Sequence, residues 1–453
     1  MSQNRRDPEQ VVAAARKGAA EAQRQQIEII KQFAAIDCGT GDEEGNARVV
    51  EIIDRQLKLI KGIEITHHYA EGYGIHIVAR LKPEKPEGKI LLSAHTDTVF
   101  HRGDTAAYPY HEDGDTAYGL GIVDCKGGIL VAIHAVRIMQ EADMLPNKEI
   151  VFIFNCDEET GTPNGHAVFD TEIPGAEMAF VFEPSRDEDG VLTARKGACS
   201  ITVEVFGKKA HSGVNYLDGR SATVELGHML VRLYENNDNV RGIQFNPAAL
   251  YGGDYGTGIV SDHATAKVGV RVACQADIDK VKEIIARVEK ETYIEGTKTE
   301  IRIDRISVPM ERNEKNVQLY ETVHKAGLLL GKDLPEQASG GSGDASYFSY
   351  RGVPAVDALG PYMYKIHSTD ESMRLSSFEE KTALWTCGRQ PLPCLSTIPS
   401  WALAGAPSNT SKIHESSALC HAGHPSRDCP ANALTHSGIP AKGTGITFRI
   451  AAV

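Results

Sequence analysis

No run of this sequence is long and uncharged enough to span a membrane, and no apolar segment follows the basic residues near its N-terminus. Neither a membrane span nor a secretory leader is expected. Cysteine is sparse and unpatterned: nine are scattered without a paired framework, which argues against a disulfide scaffold and fits reduced thiols in the cytoplasm. Positive charge is in deficit, 48 Lys and Arg against 61 Asp and Glu, for a net charge of -13. That argues against a phosphate-binding surface, so neither nucleic acid nor membrane is an expected partner. No glycine-rich dinucleotide fingerprint follows the first predicted strand and no phosphate loop occurs, which leaves a nucleotide-dependent α/β enzyme without support. Internal repeats are absent too.

At 453 residues the chain suits two domains or more. An amphipathic helix is predicted from Pro8 to Phe33, with a solvated arm as the alternative because few of its first residues are apolar, and a second helix from Asn46 to Ile60. Strand signals at 75–81, 89–93, 149–155 and 178–183 then alternate with a helical stretch at 127–140. This alternation predicts an α/β fold, a mostly parallel sheet with helices on both faces. Near Thr193 the texture changes to strand, helix, strand, strand, helix, strand, a split βαβ order that reads as an inserted ferredoxin-like α+β unit. The expected boundaries are 1–192 and 308–385 for a catalytic domain in two parts, 193–307 for an inserted lid and dimerisation domain, and 386–453 for an atypical tail.

Five acidic or histidine clusters fall at the ends of predicted strands, where open α/β sheets place their sites. In LLSAHTDTV, His95 and Asp97 are two apart and share one face of a strand. A metal-binding histidine benefits from such a carboxylate, which fixes its tautomer. In GLGIVDCKGG, Asp124 follows a glycine-rich turn and, alone, reads best as a helix N-cap. In FNCDEETGT, Asp157, Glu158 and Glu159 follow an apolar strand, either as a solvated loop or as acids gathered around a cation. Glu183 ends another buried run, and His367 follows a Gly/Pro turn. Together they make the set that a dinuclear zinc site needs: histidines, a bridging carboxylate, further carboxylates and a spare acid as base.

With these motifs in this order, the chain resembles the family of glutamate carboxypeptidase, acetylornithine deacetylase, succinyl-diaminopimelate desuccinylase and aminoacylase, over about residues 25 to 385. It is most similar to the glutamate carboxypeptidase branch. The resemblance implies two zinc ions per subunit, with cobalt or manganese as substitutes. It implies His95 and Glu183 as ligands of one, Glu159 and His367 of the other, and Asp124 as the bridge. It also implies that Asp97 orients His95, that Glu158 is the general base, and that the peptide after Asp124 is often cis. KKAHSGVNYLDGRSA resembles the family's lid motif, so His211 is expected to reach the reacting carbonyl, in relatives across a homodimer. Arg271 and Arg305 fall where relatives hold the carboxylate of a small-molecule substrate, an acyl amino acid or short peptide; otherwise they are ordinary exposed strand arginines. The implied activity is hydrolysis of an amide bond next to a free carboxylate. The alternative is a metal-poor relative that only binds.

Two departures touch the substrate region. Gly258 stands where relatives carry Asn, and Gly343 where many carry Ser or Thr. Beyond Trp385 the texture breaks. That stretch holds seven of the twenty prolines, four of the nine cysteines and only two acids, Glu415 and Asp428. A capping-box pattern at Ser377–Glu380 opens a last helix whose apolar face reaches Trp385. Residues 386–453 are then expected to be disordered, a reading-frame shift being the favoured cause. A genuine extension is one alternative; a Cys/His metal site at Cys420, His421, His424 and Cys429 is another, and its spacing matches no strong zinc motif.

Overall fold

A long N-terminal helix, Pro8–Ala34, sets the outer layer. Asp7 caps it by accepting the amide of Glu9, and Pro8 occupies the first helical position, where no amide is needed. Val11, Ala15, Ala19, Ala22, Ile29, Ile30 and Phe33 repeat on one stripe and are buried against the helices Gly128–Glu141 and Ser377–Cys387. The computed structural model describes residues 7–186, 190–253 and 256–387.

The central sheet has six strands, in the spatial order Ile63–Ala70, Gly74–Leu81, Glu149–Asn155, Lys89–His95, Ala176–Val181 and Ala355–Val356. The first two pairings are antiparallel and the other three parallel. The parallel part matters for the site, because it delivers three strand ends to one edge. His95 lies in register with Asn155, and Ser93 with Val181. The residues that follow these strands, Asp157–Glu159 and Glu183, therefore emerge beside His95.

The inserted unit is a separate four-stranded antiparallel sheet in the order Gln244–Gly252, His263–Val272, Gly197–Phe206 and Lys298–Ser307. Its helices Ala222–Tyr234 and Ala276–Glu289 cover one face over Ile201, Val203, Val205, Val268 and Val270. This is the ferredoxin-like arrangement. The other face carries polar residues, Arg271 and Arg305 among them.

Three expectations need correction. Asp124 and His367 do not end strands of the central sheet. Asp124 lies in the turn before Gly128–Glu141, and His367 in the loop joining Met363–Tyr364 to Ser372–Arg374, two strands of a small sheet. The Ser377 hydroxyl does not make the capping-box contact: it accepts the Tyr362 amide at 3.1 Å and donates to the Arg374 carbonyl. The last helix also outlasts Trp385, since Thr386 and Cys387 continue it and are buried. The expectations for the rest of the tail lie outside the described residues.

One core residue makes a prediction. His134 on Gly128–Glu141 is fully buried, and neither ring nitrogen has a hydrogen-bond partner among the described residues. Burial, helped by the charge of Arg137, pushes its pKa down to about 3. A depressed folded pKa means stability that is whole above the unfolded value, about 6.5, and is lost as pH falls toward 3. His134→Leu should therefore remove about 3 kcal/mol of the stability difference between pH 7 and pH 4. Urea unfolding of both proteins at the two pH values measures it, and equal pH differences would refute it.

Candidate metal centre and cleft

The site is built where the strand ends meet the helix that follows Asp124. Gly128 makes this approach possible: a Cβ there would collide with the Phe182 carbonyl, one residue before Glu183. The helix starts at Gly128 with Gly127 as its cap, so Asp124 is not the N-cap. The Asp124–Cys125 peptide is cis. Glu371 holds the turn, its Oε1 accepting the amides of Val123 at 3.1 Å and Asp124 at 3.4 Å. Burial, then the charge of Asp124, pushes the Glu371 pKa up to about 8.

Two groups of side chains share Asp124. In one, His95 Nε2 lies 3.0 Å from Asp124 Oδ1 and 3.7 Å from Glu183 Oε1. In the other, His367 Nε2 lies 3.2 Å from Asp124 Oδ2 and 3.5 Å from Glu159 Oε2. Within each group the ligand-type atoms all lie within 4.8 Å of one another. The Cys125 thiol also falls in the first group but donates to the Phe182 carbonyl at 3.1 Å. His367 is held with φ at 58°, a left-handed conformation that costs energy for a residue other than glycine.

Asp97 ties the two motifs together. His95 Nδ1 lies 3.0 Å from the Asp97 main-chain oxygen and 3.3 Å from its Oδ1. Acceptors flank both ring nitrogens, and although burial opposes the charged ring, the charge of Glu183 leads in holding the His95 pKa well above its ordinary value. With a cation at Nε2, the acceptors of Asp97 would keep the ring proton on Nδ1. The same carboxylate accepts the Thr40 hydroxyl at 2.6 Å and the amides of Glu158 and Glu159 at 3.2 Å each.

The electrostatics are those of crowded acids. Burial, then the charge of Glu183, holds Glu158 well above the usual carboxylate range. Burial also raises Glu183 and Glu159. Burial opposes the ionised form of Asp124, but hydrogen bonds from His367 and His95 hold it low. Hydrogen bonds to Asp124 and Glu159 push His367 up to about 10. Glu183 Oε1 is buried and accepts no hydrogen bond among the described residues. An orphaned carboxylate oxygen beside an imidazole nitrogen and a second carboxylate fits a cation. The donor set, imidazole and carboxylate, suits zinc.

A cleft of about 230 Å³ opens over this centre, lined by Asp124, Glu158, Glu159, Glu183, Arg195 and His367 among others. Glu158 lines it but belongs to neither ligand group. Arg305 sits at its margin, with Nη1 3.4 Å from the Glu159 carbonyl. Arg271 lies near enough that burial and then the charge of Arg305 lower its pKa. His211 is exposed and is not among the residues lining the cleft. Its Nδ1 accepts the amides of Gly213 and Val214 at 3.1 Å each, which leaves the ring proton on Nε2. At Gly258 a side chain would meet open space.

Sequence reasoning passed over Thr40, Glu371, Arg195 and Asp357. Asp357 follows the buried strand Ala355–Val356 just as Glu183 follows its own, so the same positional signal was available. Glu371 has no such signal, because a fold-dependent return of the chain brings it to Asp124.

Residues 91–387 match peptidase family M20/M25/M40. Carboxypeptidase G2 of Pseudomonas sp. strain RS-16 is 28% identical over 349 residues, covering 76% of this chain and 83% of the relative. Among solved structures, a tripeptidase from Staphylococcus aureus superposes with a TM-score of 0.68 at 21% identity, over 81% of this chain and 99% of that one. An M20 family metallo-carboxypeptidase from Sulfolobus solfataricus does so with 0.67 at 15% identity, over 80% and 98%. No helix among the described residues is long and apolar enough to cross a membrane. Strand order, the convergent acids and histidines and a family match spanning both sheets lead to one conclusion: the chain belongs to peptidase family M20/M25/M40.

Proposed function

We propose that this peptidase is a two-zinc amidohydrolase that cuts an amide bond next to a free carboxylate, as a carboxypeptidase or an N-acyl-amino-acid deacylase. The observation that carries the reading is a pair of ligand groups sharing Asp124, with Glu158 beside them in the cleft and in neither group. His95 and Glu183 would hold one zinc, Glu159 and His367 the other, and Asp124 both. Bound there, the metals supply Lewis acidity toward the scissile carbonyl and toward water. Glu158 takes the proton of the attacking water and delivers it to the leaving amine. Arg271 and Arg305 receive the substrate carboxylate. The name of the Pseudomonas relative supports the carboxypeptidase branch.

The test is a panel of N-acyl amino acids and dipeptides, assayed after chelation and again with zinc restored. Activity should vanish with the metal and return with it, at two zinc ions per chain by elemental analysis. The chelated protein should also melt earlier, because cations no longer offset the gathered acids. Full activity in metal-free protein would sink the reading.

The enzyme is proposed to work as a homodimer. Gln244–Gly252 is an edge strand with Leu250 and Tyr251 exposed, and Val231 and Tyr234 are exposed on the neighbouring helix. In a dimer His211 would donate its Nε2 proton to the developing oxyanion of the partner's site. His211→Ala should lower turnover by about 10²–10³-fold with little change in stability. Mixing it with Glu158→Gln should recover activity once subunits exchange. No recovery after proven exchange would place the site within one chain. A cytoplasmic setting is proposed on the thiols, since Cys38, Cys125, Cys156, Cys199 and Cys387 are buried and form no disulfide among the described residues.

A further inference from the structure

We propose that Asp344 is a positioning residue for the base. Its carboxylate takes the Thr162 hydroxyl, and through that bond it fixes the loop that presents Glu158 and Glu159. The inference rests on the proposed function, in which Glu158 is the base and Glu159 a ligand.

The loop runs from Asp157 to Thr162 and closes on itself. The Gly161 amide donates to the Glu158 carbonyl at 2.6 Å, and the Thr162 amide to the Asp157 carbonyl at 2.9 Å. At one end, Asp97 accepts the amides of Glu158 and Glu159. Thr162 is the other end, and its φ of 58° is a left-handed conformation that a β-branched residue rarely adopts. Such a conformation persists only where the surroundings over-determine it. Here the Thr162 hydroxyl donates to Asp344 Oδ1 at 2.6 Å and accepts the Asn155 side-chain amide at 3.4 Å. All three of these residues are buried.

Asp344 comes from another part of the chain, 182 positions from Thr162 and just after the cleft-lining residues Ser339, Gly341 and Ser342. The bond therefore ties the loop of the base to a second segment of the cleft wall. Burial pushes the Asp344 pKa up to about 7, and the Thr162 hydroxyl is the first of the groups that oppose this. A buried carboxylate needs a donor, and a hydroxyl bonded to a carboxylate is among the stronger hydrogen bonds. Asp344 belongs to neither ligand group and does not line the cleft, so its part is to place the reacting groups rather than to react.

The decisive variant is Thr162→Val, which keeps the branched shape and removes the hydroxyl. At saturating zinc it should lower kcat about 10–100-fold with KM within about threefold, because a displaced base loses rate without losing substrate affinity. Zinc should be held about tenfold more weakly in competition with a chelator, since Glu159 rides on the same loop. Thr162→Ser restores the donor and should bring kcat and zinc affinity back to within about threefold of wild type. A bond that only stabilised the fold would lower the unfolding midpoint and leave both values of the folded protein unmoved. The double variant Thr162→Val with Asp344→Asn strands no buried charge, which serves if Thr162→Val does not fold. Its losses should be no greater than those of Thr162→Val alone, because one bond carries both residues' effect. A wild type that hydrolyses none of the N-acyl amino acids and dipeptides overturns the proposed function, and the zinc affinities then decide the assignment by themselves. Folded variants with wild-type kcat and zinc affinity overturn the assignment alone, as does a Thr162→Ser variant no better than Thr162→Val.

Discussion

Glu158→Gln should lower turnover by about 10²–10⁴-fold and leave two metals bound. The substitution is nearly isosteric and removes no ligand, because Glu158 stands outside both ligand groups. Its backbone amide still reaches Asp97 Oδ1, so the turn that presents Glu159 keeps its shape. What disappears is the only cleft carboxylate placed outside the ligand groups among Asp124, Glu158, Glu159 and Glu183. Burial and the neighbouring charge of Glu183 raise its proton affinity, as a group that must take a proton and later return it requires. Glu159→Gln offers the contrast. There a ligand is weakened, and both metal content and turnover should fall. Elemental analysis beside steady-state kinetics separates the two cases. Near-normal turnover in Glu158→Gln would remove Glu158 from the role of base.

The legible part of this site is the part written in local pattern. His95 and Asp97 share a strand face, and Asp157–Glu159 and Glu183 follow apolar strands, so periodicity and position were enough to mark them. The ferredoxin-like unit was legible for the same reason, since its strands and helices alternate with clear periods. The small sheet that carries His367 was not, because its strands are two or three residues long, too short for any period to show. The Ser377 pattern misled because a tertiary donor, the Tyr362 amide, outcompeted the local one. Arg195 and Asp357 were missed because their meaning lies in a pairing across 162 positions of sequence. Each residue alone is an unremarkable strand-end polar group.

Trp385→Ala should destabilise the fold by about 3–5 kcal/mol and weaken metal binding as well. Trp385 is 4% exposed, in a helix whose last seven described residues are all buried. Its ring meets Phe180 edge-on with centroids 5.0 Å apart, and Phe182 at 4.9 Å. Such pairs add to the burial of a large apolar surface. The location makes the loss more than a cavity. Phe182 directly precedes Glu183, and its carbonyl accepts the Cys125 thiol, next to Asp124. The packing of the last helix therefore bears on the backbone that carries one ligand and touches the turn that carries the bridge. Trp385→Phe keeps part of the ring contact and should cost less on both counts. Urea unfolding gives the stability change, and zinc competition with a chelator gives the affinity. If Trp385→Ala shifted stability by the expected amount yet bound zinc as the wild type does, the helix would hold the fold without holding the site. If it cost under about 1 kcal/mol, the aromatic cluster would not be the seat of the helix at all.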